Sequence, residues 1–285
     1  MSTQLRMAKS DPKISIVIPA RNEARNLEAV LPELPAVHEV ILVDGNSIDG
    51  TIETAVRVMP DIKVIRQTRS GKGNALVCGF KAATGDIIVM FDADGSADPA
   101  EIPRYVQTLV RGADFAKGSR FHGDGGSEDL TLYRATGNKF LNILTNLLLK
   151  TNYTDLCYGY NAFWTDILAQ IDLPDPEIRV SNASGMMWGY GFEIEIVLNC
   201  RIAAARLNVV EVPSVERSRI HGESNLNAIR DGLRVLKTIL EEKRTERAMR
   251  RDLRAIQKLE TAEARRTARA VATVEARDEV EEEIA

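Results

Sequence analysis

The chain has 285 residues, 44% of them hydrophobic and 27% charged, with a formal net charge of -4. That length and apolar share can fill one large core or two modest ones, and the slight acidity excludes the general basic field that attracts nucleic acid. Three cysteines, Cys78, Cys157 and Cys200, are odd in number, far apart and set among apolar neighbours. This predicts buried thiols in a reducing compartment, the cytoplasm, rather than a disulfide framework. Residues 1–12 hold no apolar signal core, and no segment approaches the roughly 20 apolar residues that span a bilayer.

From Lys13 to about Gly118 strand and helix signals alternate, the order of a parallel, doubly wound α/β sheet. Ile14–Ile18 reads as a first strand ended by Pro19, Glu39–Val43 as a second ended by Asp44-Gly45, and Ile62–Ile65 as a third. Helices fall between them: one opening near Asn22 with Leu27, Val30 and Leu31 at helical spacing, one from about Asp49 to Pro60, and one after Gly73. The next strand, Ile87 to Phe91, is a continuous apolar run that stops at Asp92-Ala93-Asp94-Gly95. Such a run suits a strand buried on both faces, and in open α/β sheets ligands gather beyond the carboxyl ends of the strands. Asp92 and Asp94, two residues apart, point the same way on an extended backbone and can converge on a divalent cation carried by a nucleoside diphosphate.

Two other metal or phosphate motifs fail at this place. An EF-hand loop needs Gly at its sixth position and Glu at its twelfth, where this chain has Ala97 and Pro103; Arg69-Ser70-Gly71-Lys72-Gly73-Asn74 lacks the earlier Gly and the Ser or Thr after Lys of an ATPase phosphate loop.

Asp98-Pro99 opens a further helix, which leads to a short strand at Phe115–Lys117. His122–Asp129, rich in Gly and acid, reads as a mobile loop and a candidate lid. Leu130 to Lys150 is helical. Its Phe140, Leu141, Ile143, Leu144 and Leu147–Leu149 cover more than one face, while Asn138, Asn142 and Asn146 make the polar stripe, a pattern that predicts a core helix in preference to one that leans on a lipid acceptor. Tyr158–Trp164 is an aromatic segment running into a strand, Phe192–Ala205 a helix and Arg206–Val212 a final strand. After about Leu226 the pattern is helical throughout, with Leu233, Leu236, Ile239 and Leu240 placed to pack on the domain and no sustained heptad beyond. The basic stretch Lys243–Arg254 predicts at most a weak, salt-screened peripheral attraction to anionic lipid, and this C-terminal helix is the candidate contact for a homo-oligomer.

Taken together, several segments carry one pattern: Val17–Glu23, Val43–Thr51, Gly71-Lys72-Gly73, the Asp92/Asp94 pair, Gly118-Ser119-Arg120, Arg134 with Asn138 and Asn142, Thr154-Asp155, Gly191-Phe192-Glu193, Glu211-Val212-Pro213 and Arg219–Ser224. In order and spacing they resemble the inverting nucleotide-sugar transferases of glycosyltransferase family 2, and within it the dolichol- and polyprenyl-phosphate sugar transferases. The resemblance covers about Lys13 to Leu240. It implies an α/β fold: a GT-A-like, Rossmann-type three-layer sandwich with a mainly parallel sheet over residues 13–240, after a flexible N-terminus at 1–12 and before a charged helical extension at 241–285.

By the same resemblance, Pro19, Ala20, Asn22, Glu23, Asp44, Lys72 and Asp92 line the nucleotide-sugar pocket, with Asp44 accepting from the base. Asp94, with Asp92, holds a divalent metal, Mg²⁺ or Mn²⁺, whose hard-oxygen preference suits carboxylates and diphosphate. Arg120, Arg134 and Arg219 are the candidates for an acceptor phosphate, since a guanidinium offers a planar fork. Glu193 is the candidate base and Glu195 its runner-up.

Two departures remove positive charge near the expected acceptor. Asn225 stands where many relatives have Lys, and Tyr158-Gly159-Tyr160-Asn161 where many have Ser-Gly-Phe-Arg. The implied reaction is sugar transfer from a nucleotide-diphosphate sugar to a polyprenyl phosphate, with a saccharide or small-molecule hydroxyl as the alternative acceptor. A phosphate acceptor needs no base, whereas a hydroxyl must lose a proton. A sugar-phosphate nucleotidyltransferase would carry a Gly-rich, Arg-Lys loop after the first strand, where this chain has Pro19–Glu23. A silent nucleotide-sugar-binding scaffold is the reading from another class, and the intact Asp92, Asp94 and Glu193 speak against it.

Overall fold

The computed structural model describes residues 11–178, 193–222 and 232–247. The expectations for the N-terminus, for Gly191-Phe192, for Glu223–Asn225 and for the tail beyond residue 247 lie outside them. The chain divides into two compact units, Met1–Glu242 and Lys243–Ala285. In the second, the described residues 243–247 are helical, with a Lys243–Glu246 ion pair at 2.7 Å one turn apart.

In the first unit, alternating apolar runs and helices build the expected sheet. Its strands are β1 (Ile14–Ala20), β2 (Glu39–Asp44), β3 (Lys63–Arg66), β4 (Ile87–Met90), β5 (Phe115–Ser119), β7 (Asn161–Trp164) and β8 (Val209–Pro213), in the order β3-β2-β1-β4-β7-β5-β8. All neighbours are parallel except β7, which runs antiparallel between β4 and β5. The helices are α1 (Ala24–Val30), α2 (Thr51–Val58), α3 (Lys72–Ala82), α4 (Ile102–Val110), α5 (Leu132–Leu149), the short α6 (Leu168–Ile171) and α7 (Glu193–Ala204). Ile16–Ile18, Ile41–Val43 and Ile87–Met90 are at most 1% exposed, as strands covered on both faces must be. Gly79 of α3 is required by that packing, because a Cβ there would lie 2.2 Å from Val17 Cγ1. Pro19 does not end β1: the strand runs on to Ala20, whose carbonyl accepts from Gly45 N at 2.8 Å.

Three further expectations are corrected. His122–Asp129 is held rather than loose: Gly126–Ser127 (β6) pairs in parallel with Val215–Glu216 (β9), and the Glu128 side chain accepts from Ser218 N at 3.0 Å. Cys78 and Cys200 are buried, but Cys157 is exposed.

The third correction is to α5, which is turned the other way round from a core helix. Its Asn stripe faces inward, where Asn138, Asn142 and Thr145 are buried, and Phe140, Ile143 and Leu147 face outward. The cause lies in the segment after the helix, whose backbone needs partners that amide side chains can supply. Asn142 donates to Thr154 O at 2.6 Å and accepts from Leu156 N at 2.7 Å; Asn146 donates to Tyr153 O and accepts from Tyr153 N, both at 2.9 Å. Asn138 donates to Asp155 Oδ1 at 2.8 Å. Only Leu141 of the apolar residues turns fully inward, joining Tyr153, Leu156, Ile196, Cys200, Val235 and Ile239 in a small second core. In the helical residues 232–242, Ile239 is buried as expected, whereas Leu233 and Leu240 are 58% and 41% exposed.

Candidate active site

The carboxyl ends of β1, β2 and β4 lie side by side, so Pro19–Glu23, Asp44 and Asp92–Asp94 meet on one edge of the sheet. Ala20 is in register with Asp44. Asp44, 1% exposed, accepts from Asn46 N at 3.0 Å and from Ser47 N at 3.3 Å, closing the turn after β2. Asn22 adopts a left-handed conformation (φ 59°), and its side chain accepts from Ile48 N at 2.9 Å, so the two loops brace each other.

Lys72, at the start of α3, is brought to Asp92. Its ammonium lies 2.8 Å from Asp92 Oδ1 and 2.9 Å from Glu195 Oε1. Burial disfavours that ammonium, but Asp92 and then Glu195 outweigh it and hold its pKa above the ordinary value. For Glu195 the balance differs: burial pushes the carboxyl up, Lys72 pulls it down, and the Asp92 charge adds to the rise, leaving a raised pKa. Gly159 covers this group, since a Cβ there would sit 3.1 Å from both Lys72 Nζ and Glu195 Oε1 and 3.4 Å from Asp92 Oδ2.

Asp94 belongs to a second group. Its Oδ1 accepts from Ser96 N at 3.0 Å and Ser96 Oγ at 2.7 Å, while Oδ2 takes Arg219 Nη2 at 2.9 Å. The other arm of the guanidinium reaches Glu23 Oε1 at 3.4 Å. Burial raises the Glu23 carboxyl; Asn26 and Arg219 oppose this, and Asp94 and Asp92 add to it. Main-chain bonds tie the Arg219 segment down as well, from Ile220 N to Asp94 O at 3.1 Å and from Arg217 N to Ser96 O at 2.8 Å.

Among the described residues, no group of three or more His, Cys, Asp or Glu side chains could hold a metal alone. Asp92 and Asp94 nevertheless fit an ion of the Mg²⁺ type, which takes one or two carboxylates and completes its shell with phosphate and water. Both carboxylates already carry a cationic partner, Lys72 on Asp92 and Arg219 on Asp94, with which a divalent ion would compete.

Other sequence candidates lie elsewhere. Arg120, whose side chain is 8% exposed, grips Asp155 in a bidentate pair at 2.7 and 3.0 Å, bonds Glu216 at 2.9 Å and lies over the Tyr158 ring at 5.0 Å. Arg134 pairs with Asp129 at 3.2 Å, an aspartate whose side chain is 55% exposed. Glu193 is buried, with Arg234 3.9 Å away; two residues along the same helix, Glu195 takes the place beside Lys72 and Asp92. Residues two apart on a helix face nearly opposite sides, so which of Glu193 and Glu195 reaches Lys72 depends on how the helix is oriented.

The sequence pattern of glycosyl transferase family 2 matches residues 15–172. The chain is 32% identical over 225 residues to an undecaprenyl-phosphate mannosyltransferase of Micrococcus luteus, covering 75% of this chain and 88% of that protein. It is 30% identical over 224 residues to a dolichol-phosphate mannosyltransferase of Pyrococcus furiosus, with 75% of this chain covered but only 59% of that longer relative. In fold it is similar to glucosyl-3-phosphoglycerate synthase from Mycobacterium tuberculosis in complex with Mn²⁺, UDP and glucosyl-3-phosphoglycerate. That likeness has a TM-score of 0.61 at 22% identity and covers 85% of this chain and 84% of that one. These matches make the chain a glycosyltransferase, a member of glycosyl transferase family 2.

Proposed function

We propose that the protein is an inverting, metal-dependent transferase that moves a sugar from a nucleotide-diphosphate sugar to a polyprenyl phosphate. The observation that carries this reading is the pair of carboxylates after β4, one held by Lys72 and the other by Arg219. A divalent ion held by Asp94 and Asp92 would supply Lewis-acid charge to the departing nucleoside diphosphate. Around it, Asp44 and the Pro19–Glu23 loop take the nucleoside. Lys72 and Arg219 place positive charge where the diphosphate oxygens accumulate negative charge. The polyprenyl acceptor is supported by the names of the Micrococcus and Pyrococcus relatives. Of the three arginines proposed for its phosphate, Arg134 is the most available, with an exposed partner in Asp129, while Arg120 is committed to Asp155 and Glu216.

Glu195 favours a second reading. A buried carboxyl with a raised pKa beside Lys72 and Asp92 is suited to accept a proton from a hydroxyl acceptor. Transfer assays with Mn²⁺, a panel of nucleotide sugars and either polyprenyl phosphate or saccharide acceptors separate the two. With a lipid phosphate, Glu193→Gln and Glu195→Gln keep most of the chemical step, and Arg134→Ala raises the acceptor KM. With a hydroxyl acceptor, loss of the base costs on the order of a hundredfold to ten-thousandfold in rate. No transfer to any acceptor in the presence of donor hydrolysis would overturn the phosphate reading.

A further inference from the structure

The segment Arg69–Asn74, which fails as an ATPase phosphate loop, is closed by a different device. It joins β3 to α3, and Gly71 turns the chain into the helix through a conformation open to glycine (φ 114°, ψ 147°), with no side-chain cap. Asn74, in the first turn of α3 and fully buried, reaches back over that turn. Its Oδ1 accepts from Arg69 N at 2.9 Å, and its Nδ2 donates to Pro176 O at 2.9 Å. The first bond does what the returning side chain of a capping box does, satisfying a backbone N–H just ahead of the helix. The second ties the loop to a segment 102 residues further along the chain. There the Pro176 carbonyl also accepts from Thr68 Oγ1 at 2.7 Å and Arg69 Nε at 2.8 Å. Asp175, beside it, pairs at 2.9 Å with Lys81, two turns along α3 from Asn74, so this segment is fastened to the helix at two points. An amide suits both of its partners, as an acceptor for the Arg69 N–H and a donor to the Pro176 carbonyl.

We propose that Asn74 is a positioning residue for Lys72, fixing the loop from which that ammonium meets the diphosphate of the donor. The two residues are two apart and leave α3 on nearly opposite sides. Lys72 goes to Asp92 and Glu195, whereas Asn74 bonds the loop and Pro176, so its influence travels through the backbone that carries Lys72. Ion pairs with Asp92 and Glu195 hold the ammonium at its tip. A diphosphate drawing on that ammonium loosens them, and the place of the Lys72 backbone then decides how well it reaches. A misplacement of about 1 Å at such a group can cost on the order of a hundredfold in rate. This role rests on the reading of Lys72 as a partner of the donor diphosphate, which Lys72→Ala tests by itself.

The test is titration calorimetry of the full chain with UDP, GDP and ADP in the presence of Mn²⁺, and with the matching nucleosides, using the base that binds the wild type. Lys72→Ala and Asn74→Ala should each weaken the diphosphate about tenfold and leave the nucleoside within about twofold of wild type. The double variant should bind no more weakly than Lys72→Ala alone. Asn74→Asp keeps an oxygen facing the Arg69 N–H, with the Arg69 guanidinium at the same carbonyl to balance its charge. It should restore diphosphate affinity to within about threefold of wild type. If Asn74→Ala does not fold, Asn74→Ser, whose hydroxyl is polar but falls short of Arg69 N, takes its place with the same expectation. Full diphosphate affinity in that variant beside a weakened Lys72→Ala, equal losses for nucleoside and diphosphate, additive losses in the double variant, or no recovery in Asn74→Asp would overturn the positioning role alone. Full affinity in Lys72→Ala would instead remove Lys72 from the diphosphate, and the proposal with it.

Discussion

Arg219 and Asp94 meet at 2.9 Å across 125 residues of sequence, and the guanidinium spans from there to Glu23. It therefore sits where a divalent ion approaching Asp94 must compete for the same oxygen. With both side chains about a quarter exposed or less, such a pair contributes on the order of 1 kcal/mol. Arg219→Ala should then bind Mn²⁺ about fivefold more tightly in the absence of nucleotide, because the carboxylates lose their internal counter-charge. The same variant should turn over more slowly, having lost a cation that faces the diphosphate. Titration calorimetry checks the first part; unchanged or weaker Mn²⁺ binding would show that Arg219 and the metal do not share Asp94.

Asp94→Asn tests the ligand itself. An amide keeps the size and can still accept from Ser96 N, so the fold should hold, with a thermal midpoint close to wild type. Metal-dependent stabilisation by nucleoside diphosphate should vanish, since a ligand that binds only the folded state raises its apparent stability. A variant that still shows a Mn²⁺-dependent thermal shift with UDP would remove Asp94 from the metal site.

The sheet was legible because its signal is local: Ile87–Met90 is apolar at every position, and a short β-branched run of this kind between glycines suits a strand buried on both faces. The carboxylates after it could be read for the same reason. What could not be read was orientation and long-range pairing. Nothing near Arg120 announces Asp155, 35 residues on, as its partner. The Asn stripe of α5 looks like a solvent face until the backbone it satisfies is seen. Antiparallel β7 is hidden likewise, because the direction of a strand depends on the sheet neighbours it meets rather than on its own residues.

The Arg120–Asp155 pair carries a stability prediction. Arg120→Ala leaves Asp155, fully buried, without its bidentate partner, a loss that typically costs about 3–5 kcal/mol. Burial alone would raise the Asp155 carboxyl, but the hydrogen bonds and charge of Arg120 outweigh it and the pKa is lowered. The folded state thus favours the ionised form. Its contribution to stability is complete above the unfolded value of about 3.9 and is lost as pH falls through the lower folded value. Wild type should therefore lose stability steeply below about pH 4, and Asp155→Asn should be less stable at neutral pH with a flatter acid limb. Urea unfolding at a series of pH values measures both; parallel acid limbs would contradict the pairing.

Gly159 supplies the last test, because it constrains the candidate centre without contributing a functional group. In Gly159→Ala the new methyl would sit 3.1 Å from Lys72 Nζ and from Glu195 Oε1, closer than most Cβ contacts allow. Both neighbours are ends of side chains, so the backbone can stay while the ion pair moves by a few tenths of an ångström. The fold should keep its thermal midpoint, since Gly159 has no positive φ to lose. The Lys72 ammonium, however, would be turned away from Asp92, and positioning errors of this kind are felt in the reaction more than in stability. Donor kcat/KM should fall about fivefold to tenfold, corresponding to roughly 1 kcal/mol or slightly more, and Lys72→Ala should then make Gly159→Ala nearly silent. Additive losses in the double variant would mean that the methyl acts somewhere other than on Lys72.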